Sequence, residues 1–219
     1  PGREVTEAEL KRVLGGAGIA VPRGTVVSSG TEAPAAVRNV GGTAVMKATG
    51  LLHKTESGGV ALGVTEATAA DVVDRLAAVG GGPVLVEEQI SGGVELLVGI
   101  APSPLGPVLT LGAGGVLTEV LDDVAVRLLP VAVADVGEML SEIKVSRMLY
   151  GHRGAPPADI TALTDLICRL QELVAGWPAG YALDLNPVVA LPDRAVVLDA
   201  AYVAPAPATP ATGATLEGP

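Results

Sequence analysis

At 219 residues, with 14 Lys plus Arg against 24 Asp plus Glu, the chain carries a formal net charge of −10, a field that repels polyanions and argues against a nucleic-acid partner. Mean hydropathy is +0.50, yet Gly, Pro or a charge interrupts every apolar run before the ~18 residues that a membrane helix needs, so no membrane span is expected. Cys168 is the only cysteine, which rules out an intramolecular disulfide or a thiolate metal cluster, and with no signal-like start the expected setting is the cytoplasm.

Thr6-Glu7-Ala8-Glu9 has the form of a capping box, and Leu10, Val13 and Leu14 follow at helical spacing, predicting a helix over 6–15. Val21-Pro22-Arg23-Gly24 turns into a short strand over Thr25–Ser28, and a second strand, holding Lys47, is expected over Ala44–Ala48. Gly58-Gly59 leads into a strand over Val60–Val64. A helix over Glu66–Val79 puts Ala70, Val73, Leu76 and Ala77 on one stripe. Val84–Glu88, Val94–Ile100 and Val108–Leu111 read as three strands of one sheet. Beyond Gly112-Ala113-Gly114-Gly115, a strand pair is expected over Val116–Leu121 and Val124–Leu129, around Asp122-Asp123. Helices follow over Val136–Leu149 and Asp159–Val174; Cys168, inside the second, reads as a small apolar filler. A closing hairpin runs over Tyr181–Leu191 and Ala195–Val203 about Pro192-Asp193-Arg194. From Ala204 the Ala, Pro, Thr and Gly composition buries no core and predicts a disordered tail over 204–219. The order of elements is an α+β pattern.

A phosphate site needs fixed positive charge, backbone amides and little side-chain bulk. The span 47–60 supplies all three, with Lys47, Lys54, Gly58 and Gly59; Lys11 and Lys144 are the other lysines. The Walker spacing is absent, which excludes an ordinary P-loop. For Lys47 the plain alternative is a strand-end lysine reaching solvent. His53 stands in a polar, glycine-rich loop, where an imidazole nitrogen can attack phosphorus near neutral pH; taken alone it also reads as an exposed loop histidine. In Asp184-Leu185-Asn186-Pro187, strand alternation sets Asp184 and Asn186 on one face, with Asp199 on the returning strand opposite. Such hard oxygens suit Mg²⁺. Cross-strand polar residues beside an Asn-Pro turn are the plainer reading. Gly112, Gly114 and Gly115 either bring backbone amides to a phosphate-bearing group or make a tight turn in a small-residue core. Glu87, Glu88 and Glu95, at strand ends, either accept ribose hydroxyls or are solvated acids.

In order along the chain, these motifs resemble the ATP-grasp domain of ADP-forming (NDP-forming) acyl-CoA synthetases, relatives of the succinyl-CoA synthetase β subunit. The resemblance is carried by Thr6-Glu7-Ala8-Glu9, Gly18-Ile19-Ala20-Val21-Pro22-Arg23-Gly24, Val45-Met46-Lys47, His53-Lys54-Thr55-Glu56-Ser57-Gly58-Gly59-Val60, Gly92-Gly93-Val94-Glu95-Leu96, Gly112-Ala113-Gly114-Gly115 with Glu119 and Asp123, Gly151-His152-Arg153-Gly154, and Asp184-Leu185-Asn186-Pro187. It implies an ATP-grasp fold of two α/β subdomains, with antiparallel sheets enclosing a nucleotide cleft. One subdomain would span 1–100, with its phosphate loop over 47–60 and a hinge near 86–92, and the other 101–203, with the metal site. The implied reaction is acyl-CoA + ADP + phosphate ⇌ acid + CoA + ATP, through acyl phosphate and phosphohistidine.

By matching position, Lys47 resembles the lysine on the nucleotide phosphates, and Glu95 an acid near the ribose; Glu88, in the hinge stretch Glu87-Glu88-Gln89, joins them as nucleotide-binding. Asn186 and Asp199 resemble the Mg²⁺ ligands, with Asp184 close to the transferring phosphate. His53 resembles the histidine that accepts phosphate from a partner's phosphohistidine and hands it to ADP. Gly58, Gly59, Gly112, Gly114 and Gly115 would line the phosphate and partner loops. The implied partner is a CoA-binding α-type subunit or domain, in a hetero-oligomer. The sequence departs from the family pattern in a shorter span from Lys47 to His53, and in Ser103-Pro104-Leu105-Gly106-Pro107, which lacks the family's acid and aromatic. A non-catalytic, regulatory nucleotide-binding module is the alternative that these departures raise.

Overall fold

The computed structural model describes residues 5–49, 58–115, 118 and 123–205. His53, Glu119, most of the predicted strand Val116–Leu121, and 206–219 of the predicted tail lie outside them.

Helix α1 (Glu7–Gly16) starts at the predicted capping box: the Glu9 amide donates to Thr6 Oγ1 at 3.3 Å, and the Thr6 amide to Glu9 Oε2 at 3.0 Å. Strand β1 (Gly24–Val27) follows, then a helix that the sequence reading omitted, α2 (Ala33–Asn39), opened by Pro34 in its first turn. β2 (Ala44–Ala48), β3 (Val60–Val64), α3 (Ala69–Gly80) and β4 (Val84–Glu88) complete the first half. Gly81 stops α3 in the left-handed conformation at φ 67°, its amide donating to Ala77 O at 2.8 Å.

These strands form an antiparallel sheet in the order β1-β4-β2-β3. Met46, Val84 and Val86 turn one face of it onto α2 and α3, making a compact apolar cluster with Val37, Val73 and Leu76.

β5 (Val94–Ala101) opens a second antiparallel sheet, which β6 (Val108–Ala113), β7 (Val124–Leu128), β8 (Ala182–Ala190), β9 (Ala195–Val197) and β10 (Ala201–Val203) complete. Its order is β10-β8-β5-β6-β7, with β9 also on β8. The strands expected to form one sheet therefore divide between two, β4 in the first and β5 and β6 in the second. Val94–Ala101, which the expected first subdomain includes up to residue 100, pairs wholly within the second sheet. β7 pairs with β6, Val108–Gly112 opposite Val124–Leu128, and Thr118, the one described residue of the expected strand Val116–Leu121, is helical.

Helices α4 (Val133–Glu142), α5 (Ser146–Leu149) and α6 (Ile160–Val174) cover one face of this sheet, and Leu10 and Leu14 of α1 join the same core. The single helix predicted over Val136–Leu149 is broken because the buried Asp123 carboxylate accepts from the amides of Lys144 at 2.8 Å and Val145 at 2.9 Å. Those amides are thereby satisfied outside the helix, and Ile143 takes an extended conformation.

Candidate functional site

In both sheets the residues that alternate with the helix-covered core point the other way, and these carry the chemistry. In the smaller sheet Lys47 and Glu87 alternate with Met46 and Val86. Lys47 Nζ lies 2.7 Å from Glu7 Oε1, 3.2 Å from Glu87 Oε2 and 2.5 Å from the Leu198 carbonyl. Lys11 Nζ lies 2.8 Å from Glu7, 2.7 Å from both oxygens of Glu87 and 2.6 Å from the same carbonyl. All four side chains are buried. They join α1, packed on the larger sheet, to β2 and β4 of the smaller one. Burial opposes the Lys47 charge, but Glu7, Glu87 and Asp199 outweigh it and hold its pKa above the usual ammonium value. For Lys11 burial and the Lys47 charge prevail over the two glutamates, and its pKa is lowered. Lys47 is thus no solvent-reaching strand-end lysine.

Leu198 lies in a break of the predicted hairpin. β9 pairs with the far part of β8, Val188–Ala190, and β10 with its start, Ala182–Asp184. Between them the Leu198 amide donates to Pro187 O at 2.9 Å, and its carbonyl faces the two lysines. Asp199 follows at once, and its carboxylate accepts from the Ala200 amide at 2.8 Å. Asp184 is on the open face of β8, and burial followed by the nearby Asp199 charge raises its pKa. An extra residue in β8, between Leu185 opposite Val98 and Val188 opposite Leu96, bulges the strand at Asn186-Pro187. There Asn186 Oδ1 accepts from the Gly115 amide at 2.8 Å, and its amide donates to Thr118 Oγ1 at 3.4 Å.

Glu95, on β5, completes this group. Its carbonyl accepts from Gly114 at 3.1 Å, and its carboxylate lies over Gly115, where an added Cβ would stand 1.9 Å from Oε2. Gly115 has φ 60°. Gly112 and Gly114 are glycines for a different reason: a Cβ would stand 2.6 Å from Asp123 O at the first and 2.4 Å from the Leu96 carbonyl carbon at the second. Close strand packing requires both. Gly58 has φ 68° beside open space, and the Gly59 carbonyl accepts from the Ala48 amide at 2.8 Å, which holds the end of the span against the residue after Lys47.

Asp199 therefore lies near both Lys47 and Asp184, and Gly115 near both Asn186 and Glu95. Glu88 is engaged elsewhere, with Arg23 Nε and Nη2 each 2.8 Å from its Oε2 and the Arg23 amide 3.2 Å from Oε1. Glu7 and Lys11 were not among the predicted site residues, and Glu87, weighed as a ribose acceptor, instead pairs with the two lysines. The Glu7–Lys11 spacing, i to i+4 on a helix, is the signal that could have found that pair. A cavity of about 560 Å³, lined by Ser103, Pro107, Leu129, Trp177 and Tyr181 among others, opens at the other end of the larger sheet and contains none of these residues.

Among the described residues no group of three or more His, Cys, Asp and Glu has metal-binding proximity. Asp184 and Asp199 lie close enough to feel each other's charge, and hard carboxylate oxygens are the ligand type that suits Mg²⁺. The raised pKa of Asp184 beside Asp199 marks a place where a cation would relieve repulsion. No helix among the described residues is long and apolar enough to cross a membrane.

The family model for an ATP-grasp domain matches residues 2–203. A 4-hydroxybutyrate–CoA ligase [ADP-forming] of Nitrosopumilus maritimus is 35% identical over 199 residues, covering 84% of this chain but 28% of that protein, so the chain spans less than a third of that relative. The acetate–CoA ligase [ADP-forming] I subunit beta of Pyrococcus furiosus is 32% identical over 215 residues, 92% of each chain. Among solved structures, the dinucleotide-forming acetyl-coenzyme A synthetase 1 of Ca. Korarchaeum cryptofilum, in complex with coenzyme A, Ca-AMPCP and HgCl+, superposes with a TM-score of 0.85 at 31% identity, covering 92% of this chain and 94% of that one. With two antiparallel sheets presenting charged open faces, and with family and subunit matches along nearly its whole described length, the chain belongs to the ATP-grasp domains of the ADP-forming acyl-CoA ligase family.

Proposed function

We propose that the chain is the nucleotide-handling, phosphotransfer part of an ADP-forming acyl-CoA synthetase, acting with a CoA-binding α-type subunit or domain that carries a phosphohistidine. The observation that supports this best is that Asp199 lies near Lys47 of one sheet and near Asp184 of the other. A buried ammonium and a pair of carboxylates suited to a divalent cation are what a polyphosphate requires on its two sides.

In this reading Lys47 supplies fixed positive charge to the nucleotide phosphates, and Glu95 accepts ribose hydroxyls. Asp199 and Asn186 would hold Mg²⁺ with Asp184 beside it; when bound, the cation neutralises phosphate charge. His53 takes the phosphoryl group from the partner's phosphohistidine, one N–P bond breaking as another forms, and passes it to a terminal oxygen of ADP. Gly58 and Gly59, shortly after His53 in the sequence, would leave room for phosphate and for the partner. ADP, phosphate and CoA as reactants set the reaction in the cytoplasm, in a hetero-oligomer with the partner.

The test mixes the chain with a CoA-binding, phosphohistidine-carrying partner, acetyl-CoA, phosphate and Mg-ADP, and follows ATP. Synthesis that is lost in His53→Ala supports the proposal, as does weaker Mg-nucleotide binding in Asn186→Ala and Asp199→Ala. Nucleotide binding without ATP synthesis would support the regulatory alternative, which the short Lys47–His53 span favours.

A further inference from the structure

The buried quartet around Lys47 contains more charge than is needed to hold one lysine. Glu7 and Glu87 face Lys47, and Lys11 faces both of those carboxylates at 2.7 to 2.8 Å. The two ammonium groups share the Leu198 carbonyl, one residue before Asp199. At full ionisation the four side chains sum to zero. That neutrality decides how tightly Lys47 is held. With Lys11 present, each glutamate divides its attraction between two cations; with Lys11 gone, both would act on Lys47 alone.

We infer that Glu7, Lys11 and Glu87 are positioning residues whose charge balance sets how readily Lys47 turns from the α1 side to an anionic ligand. The inference rests on the assignment of Lys47 to nucleotide phosphates for its biological meaning, but not for its test. Lys11 acts through the carboxylates: its charge competes for Glu7 and Glu87, lowering the cost of withdrawing Lys47 from them. Its bond to Leu198 O also fixes the backbone that carries Asp199, so one helix face holds two parts of the site in register.

The charges give a signature that loss of packing alone does not. Lys11→Met leaves two carboxylates on Lys47 and should hold it more tightly. Glu87→Gln leaves two ammonium groups with Glu7 and should release Lys47. A purely structural role would disturb the site in the same direction in both variants.

The experiment uses the full chain and two readouts. The rate at which an amine-acylating reagent modifies Lys47, followed by peptide mass spectrometry, reports its availability without any nucleotide. Mg-ADP affinity by calorimetry reports the consequence. Lys11→Met should slow modification and weaken Mg-ADP by about tenfold, the order expected when a buried pair interaction at an effective dielectric of ~20 is redistributed and partly offset. Glu87→Gln should speed modification and tighten Mg-ADP; Lys11→Arg and the charge-neutral double variant Lys11→Met/Glu87→Gln should both lie near wild type. Thermal melting verifies that each variant folds, and Lys11→Arg with the double variant carry the comparison if a single variant does not. Changes of the same sign in the two single variants, or a folded double variant as impaired as Lys11→Met, would overturn the inference. A wild-type chain that fails to bind Mg-ADP while the modification rates still move in opposite directions would sink the proposed function and leave the positioning role standing.

Discussion

Gly114 and Gly115 are adjacent, yet alanine at each should fail in a different way. At Gly114 the new Cβ would stand 2.4 Å from Leu96 C, 2.5 Å from its oxygen and 2.7 Å from its nitrogen. Ordinary carbon contacts lie at about 3.5–4.0 Å, so something must shift by roughly 1 Å. Leu96 cannot move cheaply, because its strand is paired with Ala113 on one side and Val188 on the other. The cost belongs at the upper end of overpacking, about 3 kcal/mol. For a chain of this length that is a melting-temperature fall of about 6–12 °C. At Gly115 the Cβ meets the tip of Glu95, with Oε2 at 1.9 Å but Cδ at 3.1 Å, and the side chain can swing away. What remains is the left-handed backbone at φ 60°, which costs about 1–2 kcal/mol with a side chain and about 2–8 °C. The swing displaces the Glu95 carboxylate, so Gly115→Ala should lose nucleotide affinity out of proportion to its stability. Differential scanning fluorimetry and Mg-ADP titration on both variants separate the two effects. A Gly114→Ala protein melting within about 2 °C of wild type would refute the packing argument.

Three further outcomes follow from the site and its supports. The Asp184 pKa is raised above its ordinary 3.8 by burial and then by Asp199, so protons compete for this carboxylate higher on the pH scale than usual. Mg-nucleotide affinity should fall as pH drops through that raised pKa, and Asp184→Asn should flatten the profile; an unchanged slope would remove Asp184 from the cation site. The same raised pKa contributes stability only at low pH, present below the unfolded value and lost as pH rises through the folded one. Asp184→Asn should therefore raise the melting temperature at neutral pH. Asp123→Ala removes the acceptor for the Lys144 and Val145 amides and should cost about 2–4 kcal/mol, read as a lower urea midpoint; a midpoint equal to wild type would show that these amides find other partners. The Glu88–Arg23 pair is largely exposed on the Arg23 side, so Glu88→Ala should cost less than about 1 kcal/mol, and an undiminished Mg-ADP affinity would exclude Glu88 from the nucleotide contacts.

Local signals were legible where local chemistry decides the structure. The capping box at Thr6, and strands β2 and β4, appear with the bounds or caps that their patterns imply. Breaks imposed from a distance were not legible. The helix gap at Ile143–Val145 depends on Asp123, and the gap between β9 and β10 on lysines far back in the chain that hold Leu198 O. α2 is short and made largely of small residues, with too little apolar periodicity to register. The assignment of β4 and β5 to different sheets depends on pairing across the whole chain, which strand propensity does not encode. Asp184, Asn186 and Asp199 were singled out as oxygen-bearing side chains, but their spacing depends on a bulge and a broken hairpin that alternation alone does not reveal. Lys47 and its partner Glu87 were singled out in the sequence, whereas Glu7 and Lys11 were not, because a charged pair in the first turns of a helix carries no local sign that the smaller sheet buries it.

The apolar clusters on the two sheets share no residue, and α1 reaches across to β2 and β4 through carboxylates and ammonium groups. Parting the sheets at this junction would hydrate these ions as well as the apolar side chains beside them, such as Leu85. Apolar hydration raises heat capacity on exposure, while polar hydration lowers it. Opening and closing here should therefore proceed with a small heat-capacity change, so that its enthalpy hardly varies with temperature while each half remains folded around its own core.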